Sequence, residues 1–208
     1  MPQAGESQIS VRREQTRERL REAALEVFAE RGILAGSVEE ISERAGFTRG
    51  AFYSNYGSKD DLCLELLRGL VQTQVGTSLD AIARIGASAV SLDSVAEQAA
   101  DVFALLQPQD RTRALFLAEI ELYAARTPEF TQRYREHERE LKGAFADVMR
   151  AAVDRVGLAW AVPEAEAAEL LGTVHHQFVD TWLLTGEFDK QALERLLRPL
   201  LRALLVSR

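Results

Sequence analysis

A chain of 208 residues with 47% hydrophobic content is long enough to bury a sizeable core, and it suits one small domain joined to a larger one. Its formal net charge of −7 excludes a global basic field that would advertise nucleic acid. The single cysteine, Cys63, excludes an internal disulfide or a cysteine-rich metal site, and the absence of a signal peptide or a long uncharged apolar run leads us to expect a cytoplasmic protein without membrane contact.

In chain order, residues 1–11 are polar and lack a packing pattern, so they read as a mobile arm that brings Arg12 and Arg13 within reach of a nucleic-acid backbone or minor groove. From Thr16 to Arg31, Leu20, Ala23, Ala24, Val27 and Phe28 form one apolar stripe with Arg and Glu opposite, and Gly32 ends the helix. Ser37 followed three residues later by Glu40 is a capping box, after which Val38, Ile41 and Ala45 share a helical face. Gly46 is the residue best suited to the left-handed turn that follows. Thr48 caps a second short helix from Arg49 to about Asn55 or Tyr56, Gly57 stops it, and Ser58 with Asp61 repeats the capping pattern before Leu62. Two short helices around a tight turn, braced by a third, form a helix-turn-helix, whose second helix fits the major groove of DNA.

Beyond Ser58 the pattern is helical throughout, without strand signals. A long helix runs from Ser58 to about Ile85. It is followed by Leu92–Leu106, Asp110–Arg126, Pro128 to about Val156, Pro163–Leu184 and Asp189–Val206, with Pro199 expected to kink or restart the last. The fold class is therefore all-α. An N-terminal helix-turn-helix domain over 12–66 precedes a helical bundle over 67–208 for ligand binding and dimerisation. Cys63 lies in an apolar helical stretch and reads as buried filler.

Phe28, Gly32, Ser37, Val38, Ile41, Ala45-Gly46-Phe47, Phe52-Tyr53, Tyr56 and Ser58-Lys59 with Leu62 together resemble the DNA-binding domain of the tetracycline-repressor (TetR) family of bacterial regulators. Two departures stand out: Asn55 where the family often has histidine, and Ser42 where alanine is common.

The resemblance implies that Arg49, Gly50 and Ala51 open the recognition helix. Arg49 would donate twice to guanine O6 and N7, and Ala51 would touch a thymine methyl. Ser37, Thr48, Tyr53, Asn55 and Lys59 would clamp phosphates, although Tyr53 also reads as a core aromatic with its hydroxyl at the surface. Phe52 and Tyr56 are expected to pack. The partners implied are double-stranded operator DNA, palindromic because a homodimer forms through the last two leucine-rich helices, and a small, largely apolar effector. Candidate effector-site residues are Phe103, Phe116, Glu119, Tyr123, His175, Phe178 and Trp182; no cofactor is expected. His175-His176 invites a metal reading, but adjacent side chains diverge by about 100° on a helix, so no metal site is expected. In the implied mechanism the effector favours a dimer with its recognition helices differently spaced, and the long helix from Ser58 acts as the lever. No nucleophile-and-base spacing supports an enzyme. The alternative is a helical protein-interaction module without sequence-specific DNA binding, since the helix-turn-helix domain is not net basic.

Overall fold

The computed structural model describes residues 4–84, 94–98, 100 and 110–207. The helices are α1 (Ala4–Ala35), α2 (Val38–Arg44), α3 (Arg49–Tyr53), α4 (Lys59–Arg84), α5 (Arg111–Arg126), α6 (Pro128–Arg155), α7 (Glu164–Thr185) and α8 (Lys190–Leu204). Helical residues 94–98 fall within the segment expected over Leu92–Leu106, most of which lies outside the described residues, as does Phe103.

The chain divides into two compact units, one of Met1–Gly69 with Asp110–Arg135, the other of Leu70–Gln109 with Glu136–Arg208. In the first unit, α1 packs against α5 and α2. The expected stripe is the buried face: Leu20, Ala24 and Phe28 are fully enclosed, with Ala23 and Val27 nearly so. Phe28 stacks on Phe116 of α5, ring centroids 6.0 Å apart. Gly32 breaks the helical path of α1 at φ 77°, a conformation costly for any residue with a Cβ. A side chain there would also strike the Glu119 carboxylate at 2.7 Å.

Helix α1 begins at Ala4, so residues 4–11 are helical. After Gly5 this stretch holds no Gly or Pro, and it runs straight into Arg12-Arg13-Glu14-Gln15, whose side chains favour a helix. Helix α3 is shorter than expected. It is capped at Ser54, and Gly57 lies in the turn beyond without a left-handed φ.

The second unit has a core of Met149, Val153, Leu171, Leu193, Leu197, Leu201 and Leu204, with Phe145, Val174, Phe178 and Phe188 packed against it. Helix α8 is capped by Asp189, whose side chain accepts from Ala192 N–H at 2.8 Å, and it continues through Pro199 without restarting. It stops at Leu204 and the chain turns extended: Leu205–Ser207 pairs antiparallel with Leu158–Trp160, in the register Leu158 to Ser207 and Trp160 to Leu205. These strands, β1 (Leu158–Trp160) and β2 (Leu205–Ser207), correct the expectation of helix throughout. A three-residue strand is too short to show alternation, and what creates it is tertiary: Gly157 at φ 72° turns the chain after α6 to meet the end of α8.

Phe116, read from the sequence as an effector-site candidate, is a core residue of the first unit. Phe116→Ala is expected to lower the unfolding free energy by about 3–5 kcal/mol, measured by urea denaturation followed by circular dichroism. A ring that merely lined a pocket would give a far smaller shift.

Candidate nucleic-acid interface

Local caps build the helix-turn-helix. The Ser37 hydroxyl oxygen accepts from the Glu40 N–H at 3.2 Å, and Glu40 Oε2 accepts from the Ser37 N–H at 3.2 Å. This is the full reciprocal box, and the backbone bond holds the Glu40 carboxyl below its usual range. Gly46 takes φ 73° in the turn between α2 and α3. The Thr48 hydroxyl then accepts from Ala51 N–H at 3.2 Å, and Ser58 Oγ accepts from Asp61 N–H at 3.1 Å at the start of α4. Phe52 and Tyr56 are buried, as the packing reading expects, and they anchor α3 from below.

Around these caps lies a set of ion pairs that tie the elements together. Arg44 of α2 places both ends of its guanidinium on Glu30 of α1, at 2.7 and 2.7 Å, the forked geometry that makes arginine–carboxylate pairs specific. Arg31 meets Glu40 at 3.0 Å. Arg19 lies over the Phe47 ring at 4.8 Å, covering the turn at Gly46.

The densest cluster is centred on Glu65 of α4. Its Oε1 accepts from Arg21 at 2.8 Å and from the Tyr56 hydroxyl at 3.0 Å, and its Oε2 pairs with Arg17. Arg17 also donates to the Asn55 carbonyl at 2.9 Å and sits 4.5 Å from the centre of the Tyr56 ring. Burial, then the charge and hydrogen bond of Glu65, push the Tyr56 phenol well above its ordinary value. Arg17 and Arg21 share a face of α1, but no sequence pattern connects that face to residues 56 and 65, so this cluster could not be read from the chain.

The expected DNA-facing residues divide into two groups. Arg12 and Arg13 on α1, and Thr48, Arg49, Gly50 and Tyr53 on the second helix and its cap, are exposed. Arg49 forms a 2.6 Å ion pair with Glu39 of α2 and sits 5.4 Å from the Tyr53 ring centre. Hydrogen bonding to Tyr53, and next the Glu39 charge, hold its guanidinium above the ordinary value.

The second group is turned inward. Asn55 donates its amide to Ala51 O at 2.8 Å, finishing α3, and its Oδ1 is buried without a hydrogen-bond partner among the described residues. Lys59 donates to the carbonyls of Ile33 and Gly36, at 2.6 and 2.9 Å, and faces the Tyr123 ring. It pins the link between α1 and α2. Ser37 uses its hydroxyl as a cap, and Ala51 is half-buried.

The described effector candidates are divided between the two units. Phe116, Glu119 and Tyr123 belong to the first unit, where the Tyr123 hydroxyl donates to Asp60 Oδ1 at 2.8 Å; burial and this carboxylate push its pKa up to about 12. His175, Phe178 and Trp182 lie on α7 in the second unit, where His175 and Phe178 flank Phe188, a residue the sequence reading passed over. Cys63 is buried, which raises its thiol pKa and leaves it unreactive. Among the described residues there is no group of three His, Cys, Asp or Glu placed to hold a metal ion, and no helix is long and apolar enough to cross a membrane.

A capped pair of short helices braced by α1, with an exposed arginine opening the second, defines a helix-turn-helix protein. Residues 20–66 match the family model of the bacterial regulatory proteins of the tetR family, a match that covers the helix-turn-helix domain. It is similar to the uncharacterized HTH-type transcriptional regulator YwcC of Bacillus subtilis, 34% identical over 98 residues, which are 46% of this chain and 44% of the relative. It is also similar to the HTH-type transcriptional repressor KstR2 of Mycobacterium tuberculosis, 42% identical over 52 residues, 25% of this chain and 26% of the relative. The chain thus spans less than half the length of the curated relatives it matches. The fold extends further: the crystal structure of the transcriptional regulator FadR from Bacillus subtilis in complex with stearoyl-CoA superposes with a TM-score of 0.64 at 19% identity, over 89% of this chain and 97% of that one.

Ser37→Ala removes one half of the capping box and leaves the Glu40 N–H without its side-chain acceptor. The first unit is expected to lose about 1 kcal/mol of stability, measured as a lowered midpoint in thermal unfolding.

Proposed function

We propose that this protein is a ligand-responsive transcriptional regulator that binds a palindromic operator as a homodimer, represses from it, and is released by a small, largely apolar effector. The observation that carries the reading is the exposed start of α3, where Thr48, Arg49, Gly50 and Tyr53 face solvent above a core that fixes their helix. Repression is supported by the similarity to KstR2, a repressor. An apolar effector is supported by FadR, whose structure holds stearoyl-CoA.

Dimerisation through the last two helices is supported by how their leucines divide. Leu193, Leu197, Leu201 and Leu204 are consumed by the core of their own unit, whereas Leu170 and Leu184 on α7 and Leu196 on α8 remain exposed. Large apolar side chains left exposed on these two helices are available to an interaction face. A two-fold dimer presents two recognition helices to two half-sites, which is why the operator is expected to be palindromic. The acidic net charge fits the same reading, because it weakens non-specific attraction to DNA and leaves affinity to the small face around α3. Effector release follows by linkage: a ligand that lowers operator affinity must itself bind the free protein more tightly than the DNA complex, by the same factor. Equal ligand affinity for the free and DNA-bound protein would overturn this part of the proposal.

The direct test is selection of bound genomic fragments by the purified protein at a stated salt concentration, followed by sequencing. A palindromic site is expected, and recovery of nothing above background overturns the reading. On that site, Arg49→Ala is expected to weaken binding by about 1–3 kcal/mol and relax the preference at one position per half-site, measured by fluorescence anisotropy across single-base variants. Leu196→Glu is expected to shift the protein toward monomer in sedimentation velocity and to weaken operator binding in parallel; an unchanged dimer would place the interface elsewhere.

A further inference from the structure

We infer that Glu39 of α2 is a positioning residue for Arg49: it holds the guanidinium for base readout and keeps it from becoming a general phosphate contact. The inference rests on the proposed DNA-binding function and goes beyond it, to what sets specificity at the base that Arg49 reads.

Three observations support it. Glu39 Oε1 lies 2.6 Å from Arg49 Nη1, joining the first turn of α2 to the first residue of α3 across the helix-turn-helix. The Tyr53 ring lies under the same guanidinium, 5.4 Å from centre to Cζ. Both members of the pair are open to solvent, the Arg49 side chain at 61% and Glu39 at 57%. A pair this exposed adds little to folding, so its consequence lies in where it holds the arginine.

Arginine carries five donors on a planar fork and a flexible stem that loses conformational freedom when it docks. With one edge held by Glu39 and one face covered by Tyr53, the remaining donors are left for a guanine, which accepts at O6 and N7. The carboxylate also acts against the competing pose. A guanidinium that turned toward the phosphates would carry Glu39 toward them or leave it unpaired, and a like charge near the backbone is unfavourable. Glu39 is free for this role because its neighbour Glu40 is the residue bound into the cap of α2, and the cap fixes the turn from which Glu39 projects.

The test compares the wild type, Glu39→Gln, Arg49→Ala and the double variant on the selected operator and on all single-base changes within one half-site, at two salt concentrations. Glu39→Gln is expected to keep the half-site but lose about tenfold of the discrimination at the one position that Arg49→Ala also relaxes. Its binding to unrelated DNA should strengthen, with a steeper salt dependence. The double variant should match Arg49→Ala at that position. Thermal unfolding checks that each variant is folded, and Glu39→Ala repeats the test should Glu39→Gln be unstable.

Wild-type base preference in both Glu39 variants, alongside its loss in Arg49→Ala, overturns the inference and leaves the function standing. A further loss at a second position in the double variant also overturns it, since Glu39 would then read a base itself. Wild-type protein that selects no site removes the function, and the inference falls with it.

Discussion

The reading surface depends on a helix that cannot hold itself. Helix α3 has five residues, far below the length at which a helix is stable in water, and so it exists only because its surroundings define it. The central constraint is the Glu65 carboxylate. By accepting from Tyr56, Arg21 and Arg17 it fixes the chain just after α3 to both α1 and α4, and Arg17 extends the tie to the Asn55 carbonyl. The side chains of Glu65, Arg17 and Arg21 are only 27%, 23% and 22% exposed, so solvent screens this cluster less than the open Arg49–Glu39 pair. The structure therefore separates two kinds of ion pair. The half-buried one sets where α3 sits, and the exposed one is available for exchange with another partner.

That separation accounts for the fate of the basic residues. Arg17, Arg21, Arg44 and Lys59 are satisfied within the first unit, by Glu65, Glu30 and the carbonyls of Ile33 and Gly36. A domain with nearly balanced charge can still present a positive contact, provided most of its cations are used internally and one stands at the helix start. Lys59 stands where the family pattern puts it, and its ammonium has two carbonyl acceptors and an aromatic face within its own unit. Asn55 is similar, its amide closing α3 on the Ala51 carbonyl.

What the sequence disclosed follows from the range of the interactions. The capping box at Ser37–Glu40, the cap at Thr48, the turn at Gly46 and the α1 stripe involve residues within a few positions of one another, and all were legible. The Glu65 cluster spans up to 48 residues and the ring stack of Phe28 on Phe116 spans 88, and neither leaves a local pattern. The same limit explains the effector candidates. Composition identifies aromatics in a helical bundle but does not say which will meet: Phe116 and Tyr123 went to the core around α1 and α5, whereas Phe178 joined Phe188 and His175. The short ribbon of β1 and β2 was invisible for a related reason, since its residues become strands only where the end of α8 meets the turn at Gly157.

The position of Glu39 shows how local and long-range effects combine at the candidate site. Its backbone placement is local, fixed by the cap that Glu40 completes, whereas its partner lies across the turn in another helix. A carboxylate on a surface meant to approach phosphate is unfavourable unless it serves some purpose, and an exposed ion pair supplies too little stability to be that purpose. Restricting the arginine is a purpose of the right size. It exchanges some electrostatic attraction, which all DNA sequences share, for orientation, which only one base pair rewards. In a chain that already carries an excess of acid, affinity cannot come from charge alone, and the geometry of a single guanidinium becomes correspondingly more important.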